Sequence, residues 1–181
     1  MKKVKSILKI LLITVVVLLV AAIFLKKVYV VERDIIINKP KTTVFNYLKY
    51  LKNQNDFSKW ALMDTNAHRE YIGLDGTEGF LYTWESNNSK VGKGEQRIKK
   101  IIAGKVIQTA LHFIKPIEGF ADAYLTTETI SDNETRVRWG FYSKMNYPFN
   151  LSLLVLNMDK IIGDDLSEGL INLKKQLESK P

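Results

Sequence analysis

Two histidines, His68 and His112, and three carboxylates on strand-like segments, Glu85, Glu95 and Asp122, are the side chains suited to moving protons at neutral pH. Glu95 and Arg97 stand two residues apart in an extended segment, so they share one face of a strand and can pair either inside a cavity or on a surface. His112 alternates with Leu111 and Phe113, which directs it away from their apolar face toward solvent. His68, in the polar run 66–70, reads as a surface residue. The absence of cysteine removes thiolate catalysis, disulfides and Cys-based zinc or iron-sulfur sites. No serine elbow, phosphate-binding glycine loop or metal-ligand spacing occurs either, and no cofactor is expected. Gly92-Lys93-Gly94 is too short to cradle a nucleotide and reads as a turn or bulge.

A second group of residues suits binding. Tyr82, Trp84, Phe113, Trp139, Phe141, Met145 and Met158 offer large, adaptable apolar surfaces of the kind that line ligand pockets. The same residues at strand and helix spacing equally fill a solid core.

These residues are placed by a regular order of elements. Segment 28–37 (VYVVERDIII) is rich in β-branched residues and reads as a strand, broken by Asn38, Lys39 and Pro40. Thr42 or Thr43 then caps a short helix through Leu51, with Val44, Phe45, Tyr47 and Leu48 at helical spacing, and a further helical turn falls near 57–60. Strand-like runs follow at 67–72, 80–85, 92–102, 105–113, 120–130 and 135–145, divided by short turns that allow only antiparallel neighbours. Phe80, Tyr82 and Trp84 share one face of their strand, and Val137, Trp139 and Phe141 share the core face of the last one. Beyond Pro148, a 3.6-residue period from Leu151 through Leu154, Val155, Met158, Ile162, Leu166, Leu170 and Leu173 to Leu177 predicts one long amphipathic helix. Gly163 and Gly169 within it predict a kink or a close approach to the sheet.

Residues 7–25 (ILKILLITVVVLLVAAIFL) carry one charge, Lys9, and at 1.5 Å per residue would extend about 28 Å, close to the roughly 30 Å hydrocarbon core of a bilayer. A basic tail, 1–6, precedes the run, and Lys26 with Lys27 closes it. The expectation is a retained single-pass span, with 26–33 as linker and start of the first strand and 34–178 as the globular domain. A cleaved signal peptide is the competing reading, with Val20 and Ala22 as small residues near a cleavage point. The slight excess of lysine before the span places the N-terminus in the cytoplasm and the domain on the opposite side.

The chain's +8 charge does not signal nucleic-acid binding. Six of its 27 basic residues lie in the first 27 positions with no acid beside them, leaving 21 basic against 19 acidic residues, or +2, for the rest. With 46% hydrophobic residues the remainder can bury one core.

The motifs INKPKTTVFNYL (37–48), WALMD (60–64), YTWES with GKGE (82–86, 92–95), TRVRWGF (135–141) and GDDLSEGLINLKK (163–175) follow one another in an order that resembles the START-like, or SRPBCC (Bet v 1-like), superfamily, and within it the polyketide cyclase/dehydrase group. The resemblance implies an α+β helix-grip fold: a curved antiparallel sheet around a long C-terminal helix, here preceded by a transmembrane helix. It also implies a cavity between sheet and helix that takes a hydrophobic small molecule or lipid. On that reading the cavity residues are Tyr82, Trp84, Glu95, Arg97, Phe113, Trp139, Phe141, Met145, Met158 and Ile162. A cyclase-like or hydrolytic enzyme and a ligand-free structural module are the alternatives. An inward-facing Glu95 or His112 would favour the enzyme, and a filled interior the structural module.

Overall fold

The computed structural model describes residues 2–179; Met1 of the expected basic tail and residues 180–181 lie outside them. A helix, α1 (Lys2–Phe24), is followed after Leu25, Lys26 and Lys27 by strand β1 (Val28–Ile37). Then come α2 (Lys41–Leu48), a 3-10 helix (Leu51–Asp56), α3 (Lys59–Met63), and six strands: β2 (His68–Ile72), β3 (Leu81–Glu85), β4 (Lys93–Ile102), β5 (Val106–Lys115), β6 (Gly119–Ser131) and β7 (Glu134–Lys144). A second 3-10 helix (Phe149–Leu154) precedes the C-terminal helix α4 (Met158–Glu178).

The seven strands form one antiparallel sheet in the order β1-β7-β6-β5-β4-β3-β2. Each connection from β2 to β7 joins sheet neighbours, as short turns require, and β1 closes the far edge against β7. Alternation decides the faces. In β7, Val137, Trp139 and Phe141 are buried while Arg138 and Tyr142 are exposed. The sheet curls over α4, whose Leu166, Leu170, Leu173 and Leu177 enter one buried cluster with Val44, Phe45, Leu48 and Trp139. Full burial of such a side chain stabilises by roughly 1.5–3 kcal/mol, so this stripe holds the helix to the sheet.

The two helical glycines serve close packing. A Cβ on Gly169 would stand 2.8 Å from the Trp139 ring, and one on Gly163 would collide with the Arg33 guanidinium. That guanidinium instead reaches along the helix to the Asp159 carboxylate, with both nitrogen-oxygen distances at 3.0 Å.

Two expectations are corrected. The single helix from Leu151 is two elements, because the Asn157 side chain accepts from Lys160 N at 3.0 Å and starts α4 only there. Upstream the chain forms 3-10 bonds such as Val155 N to Ser152 O, and Leu154 and Val155, expected on the buried stripe, are 65% and 82% exposed. Neither Thr42 nor Thr43 caps α2; the Pro40 carbonyl accepts from Thr43 N and Val44 N, and no side chain caps the helix.

Among the described residues α1 alone is long and apolar enough to cross a membrane. From Lys3 onward its side chains stand largely free of the domain except at the C-terminal end, where Ala22 is buried. Asn150 Nδ2 donates to Ala22 O at 2.7 Å, satisfying one of the carbonyls left open in a last helical turn.

Candidate functional site

Between the sheet and the first turns of α4 the interior is not filled. A cavity of about 300 Å3 lies there, bounded by Ile162 and Leu166 of α4, Tyr82 and Trp84 of β3, Leu111 and Phe113 of β5, and Trp139 and Phe141 of β7. Such a volume equals roughly ten water-sized groups at about 30 Å3 each, the lower end of ligand-pocket sizes. The aromatic wall is continuous: Tyr82 stacks on Trp84 at 5.7 Å, Trp84 meets Phe113 edge-on at 6.2 Å, and Phe113 and Tyr29 each approach Phe141 within 6.5 Å. On the helical side Trp60 lies edge-on to Trp139 at 6.2 Å. Gly94 makes room for the Trp84 indole, since a Cβ there would fall 2.5 Å from its ring. Trp84 Nε1 donates to Val91 O, which ties the ring to the β3–β4 loop.

The polar groups on the wall are mostly engaged with protein. Tyr82 OH donates to Asn55 Oδ1 at 3.3 Å, and Gln96 Nε2 to Thr109 Oγ1 at 3.0 Å. Arg69 is held by three backbone carbonyls, those of Ala61, Asp64 and Thr65 at 2.8–3.0 Å, while its buried Nε has no hydrogen-bond acceptor. Burial pushes the Tyr82 phenol up, and the Arg69 guanidinium beside it pulls it part of the way back. Burial likewise raises the Tyr29 phenol against a hydrogen bond with Ser143. Both are therefore neutral at physiological pH and act as hydrogen-bonding groups. Lys90 and Lys115 stand at the rim, and among the described residues no Asp, Glu or His lines the cavity.

No protein-family model matches the sequence, and no curated protein does. Solved structures match throughout the domain. Ara h 8.0201 superposes with a TM-score of 0.60 at 9% identity, covering 84% of this chain and 99% of that one. Norcoclaurine synthase from Thalictrum flavum, solved with dopamine and hydroxybenzaldehyde, gives 0.61 at 7% identity over 85% of this chain and 88% of that one. The di-domain ARO/CYC BexL of the BE-7585A biosynthetic pathway gives 0.58 at 14% identity over 84% of this chain and 48% of the other. The chain has the Bet v 1-like fold. This is the α+β helix-grip arrangement, a seven-stranded antiparallel sheet on a long C-terminal helix, and identities this low speak to the fold alone.

Within the Bet v 1-like domain the expected site residues divide. Tyr82, Trp84, Phe113, Trp139, Phe141 and Ile162 line the cavity. Glu95 and Arg97 do not. In β4 the pleat turns Gly94, Gln96 and Ile98 inward, so the residues between them face outward. There Glu95 lies 3.9 Å from His112 Nδ1, and Arg97 donates to Gly79 O. His112 is on that outer face too, stacked on Phe120 at 4.4 Å with Nε2 3.0 Å from Glu118. Met145 does not line the cavity; its sulfur accepts from Ser152 Oγ of the second 3-10 helix. Met158, the first residue of α4, lines a separate open groove, a displacement that follows from the late start of the helix.

Several wall residues escaped the sequence reading. Gln96 was recoverable, since the alternation that exposes Glu95 buries its neighbour. Gln54, Asn55, Ser58 and Trp60 sit in short helical turns with no period long enough to reveal a face, and Arg69 alternates with the exposed His68 and Glu70 on an edge strand.

Proposed function

We propose that the protein is a membrane-tethered binding protein that takes a small apolar molecule, or one stretch of an acyl chain, into the cavity between sheet and α4. The observation that carries this reading is an unfilled, aromatic-walled cavity on whose surface the described residues place no carboxylate or imidazole. The two side chains singled out for general acid-base work, Glu95 and His112, face outward, away from anything the cavity could hold. The unpartnered Arg69 Nε and the Tyr82 hydroxyl offer one polar handle, which suits a ligand with a single acceptor at one end. Norcoclaurine synthase, of the same fold, was solved with small aromatic compounds.

The tether rests on α1, whose length, apolarity and exposed surface suit a bilayer. Lysine before the span favours a cytoplasmic N-terminus with the domain on the other side.

Native mass spectrometry of the full chain extracted from membranes in detergent tests the binding. An apolar adduct that remains at low activation energy, and exchanges with added lipid, is expected; a folded chain with no adduct before or after lipid exchange would overturn the reading. N-terminal sequencing of mature protein tests the tether, and a start at Ile23 would overturn it.

A further inference from the structure

The register of the sheet sends one set of termini and loops to a single edge. Val28 pairs with Lys144, Phe113 with Gly119, Lys93 with Lys115, and Glu85 with both Lys93 and His68. The start of β1, the end of β7, the β3–β4 loop and the β5–β6 loop therefore lie together, and α1 joins the domain at this edge. The cavity reaches the same edge, for Lys90, Val91, Lys115 and Ile117 from those loops are among its lining residues.

We infer that this edge is a lipid-contacting face, and that the cavity opens onto the leaflet beneath it. The inference rests on the tethered binding function proposed above and adds the surface through which the ligand passes.

Large apolar side chains stand exposed toward this edge: Ile117 is 81% exposed, Phe149 72%, Leu154 65% and Val155 82%, and Phe120, whose inner ring face stacks on His112, is 62% exposed. A soluble surface rarely leaves so many large apolar groups in one place, and an interfacial segment with them partly immersed accounts for the exposure. Exposed lysines surround them. Lys26, Lys90, Lys115 and Lys144 form no ion pair within the described residues, which leaves them free for lipid phosphates.

The tether also permits no retreat. Only Leu25, Lys26 and Lys27 separate α1 from β1, a reach of about 10–14 Å for three residues and their bonds. Asn150 bonds the second 3-10 helix to Ala22 of α1, and Met145 N donates to Lys27 O at 2.7 Å. The edge that carries the cavity mouth is thus the one held at the membrane surface.

A second open space adjoins the cavity at this edge. An open groove of about 650 Å3 runs between β1 and the second 3-10 helix, walled by Val28, Val30, Leu153 and Leu156. Tyr29 lines both this groove and the cavity, so the two spaces share a wall at that ring.

The natural absence of cysteine makes the test direct. Val155→Cys and, at the opposite edge, Leu74→Cys, both on exposed side chains, are spin-labelled in the full chain and reconstituted into phosphatidylcholine vesicles containing phosphatidylglycerol. The expected result is that the label at 155 collides several-fold more with oxygen, relative to a water-soluble nickel chelate, than the label at 74. Equal ratios from a chain that resists alkaline carbonate would overturn this inference and leave the tether standing. Release of the chain by carbonate would overturn both.

Discussion

The two ends of α4 face the same sheet and end differently. Toward its C-terminus Leu170, Leu173 and Leu177 are buried in a solid cluster with Val44, Phe45 and Leu48 of α2. Toward its N-terminus Ile162 and Leu166 look onto open space. The helix contributes aliphatic side chains at both ends, so the difference comes from what stands opposite. An eight-residue helix with three apolar residues turned inward fills one end. At the other stand a 3-10 helix and the one-turn α3, and they present Gln54, Ser58 and Trp60. An apolar stripe on one element thus establishes only that something covers it; the partner element decides between core and cavity.

Substitutions on the two halves of α4 should break or sharpen this contrast. Leu173→Ala at the solid end is expected to cost about 2–5 kcal/mol, read from urea unfolding of the full chain in micelles by circular dichroism. Ile162→Ala at the open end should cost clearly less, because the void already exists; equal losses would show that the cavity closes in solution. Enlarging the same position gives the next effect. Ile162→Trp should reduce the fraction of chain carrying an apolar adduct by about tenfold, with a stability loss below the roughly 1–3 kcal/mol typical of overpacking, while Met158→Trp in the separate groove leaves the adduct in place. Loss of the adduct in the Met158 variant would move the ligand into the groove.

The smallest effect is electrostatic. Burial raises the phenols of Tyr29 and Tyr82 in the folded state, so their contribution to stability is complete below the unfolded value of about 10 and is lost as pH rises past it. Tyr82→Phe should flatten the alkaline limb of the stability profile, measured by unfolding midpoints between about pH 9 and 11. An unchanged alkaline limb would mean that water already reaches this phenol.

The sheet was legible in the sequence because its strands obey a period of two and its turns are short. VYVVERDIII became β1 with the ends expected, and the core trio Val137, Trp139 and Phe141 came from alternation alone. The same rule, applied to neighbours of Gly94, would have sent Glu95 and Arg97 outside and Gln96 inside. Residues 149–156 misled for a physical reason: their apolar spacing continues the helical period, yet Asn157 supplies a cap that restarts the helix, and Leu154, Val155 and Leu156 are left exposed. The polar wall of the cavity was beyond reach because Asn55, Ser58 and Arg69 are positioned by turns and carbonyls, which leave no periodic trace.

The chain contains three tryptophans, Trp60, Trp84 and Trp139, and all three line the cavity. Its indole fluorescence therefore originates wholly from the wall of one site, with no background from α1 or the outer face of the sheet. Because Trp60 and Trp139 lie 6.2 Å apart and edge-on, they are close enough to exchange excitation, so an occupant beside either ring is registered by both. The protein carries its own optical readout of whether the space between sheet and helix is wet or full.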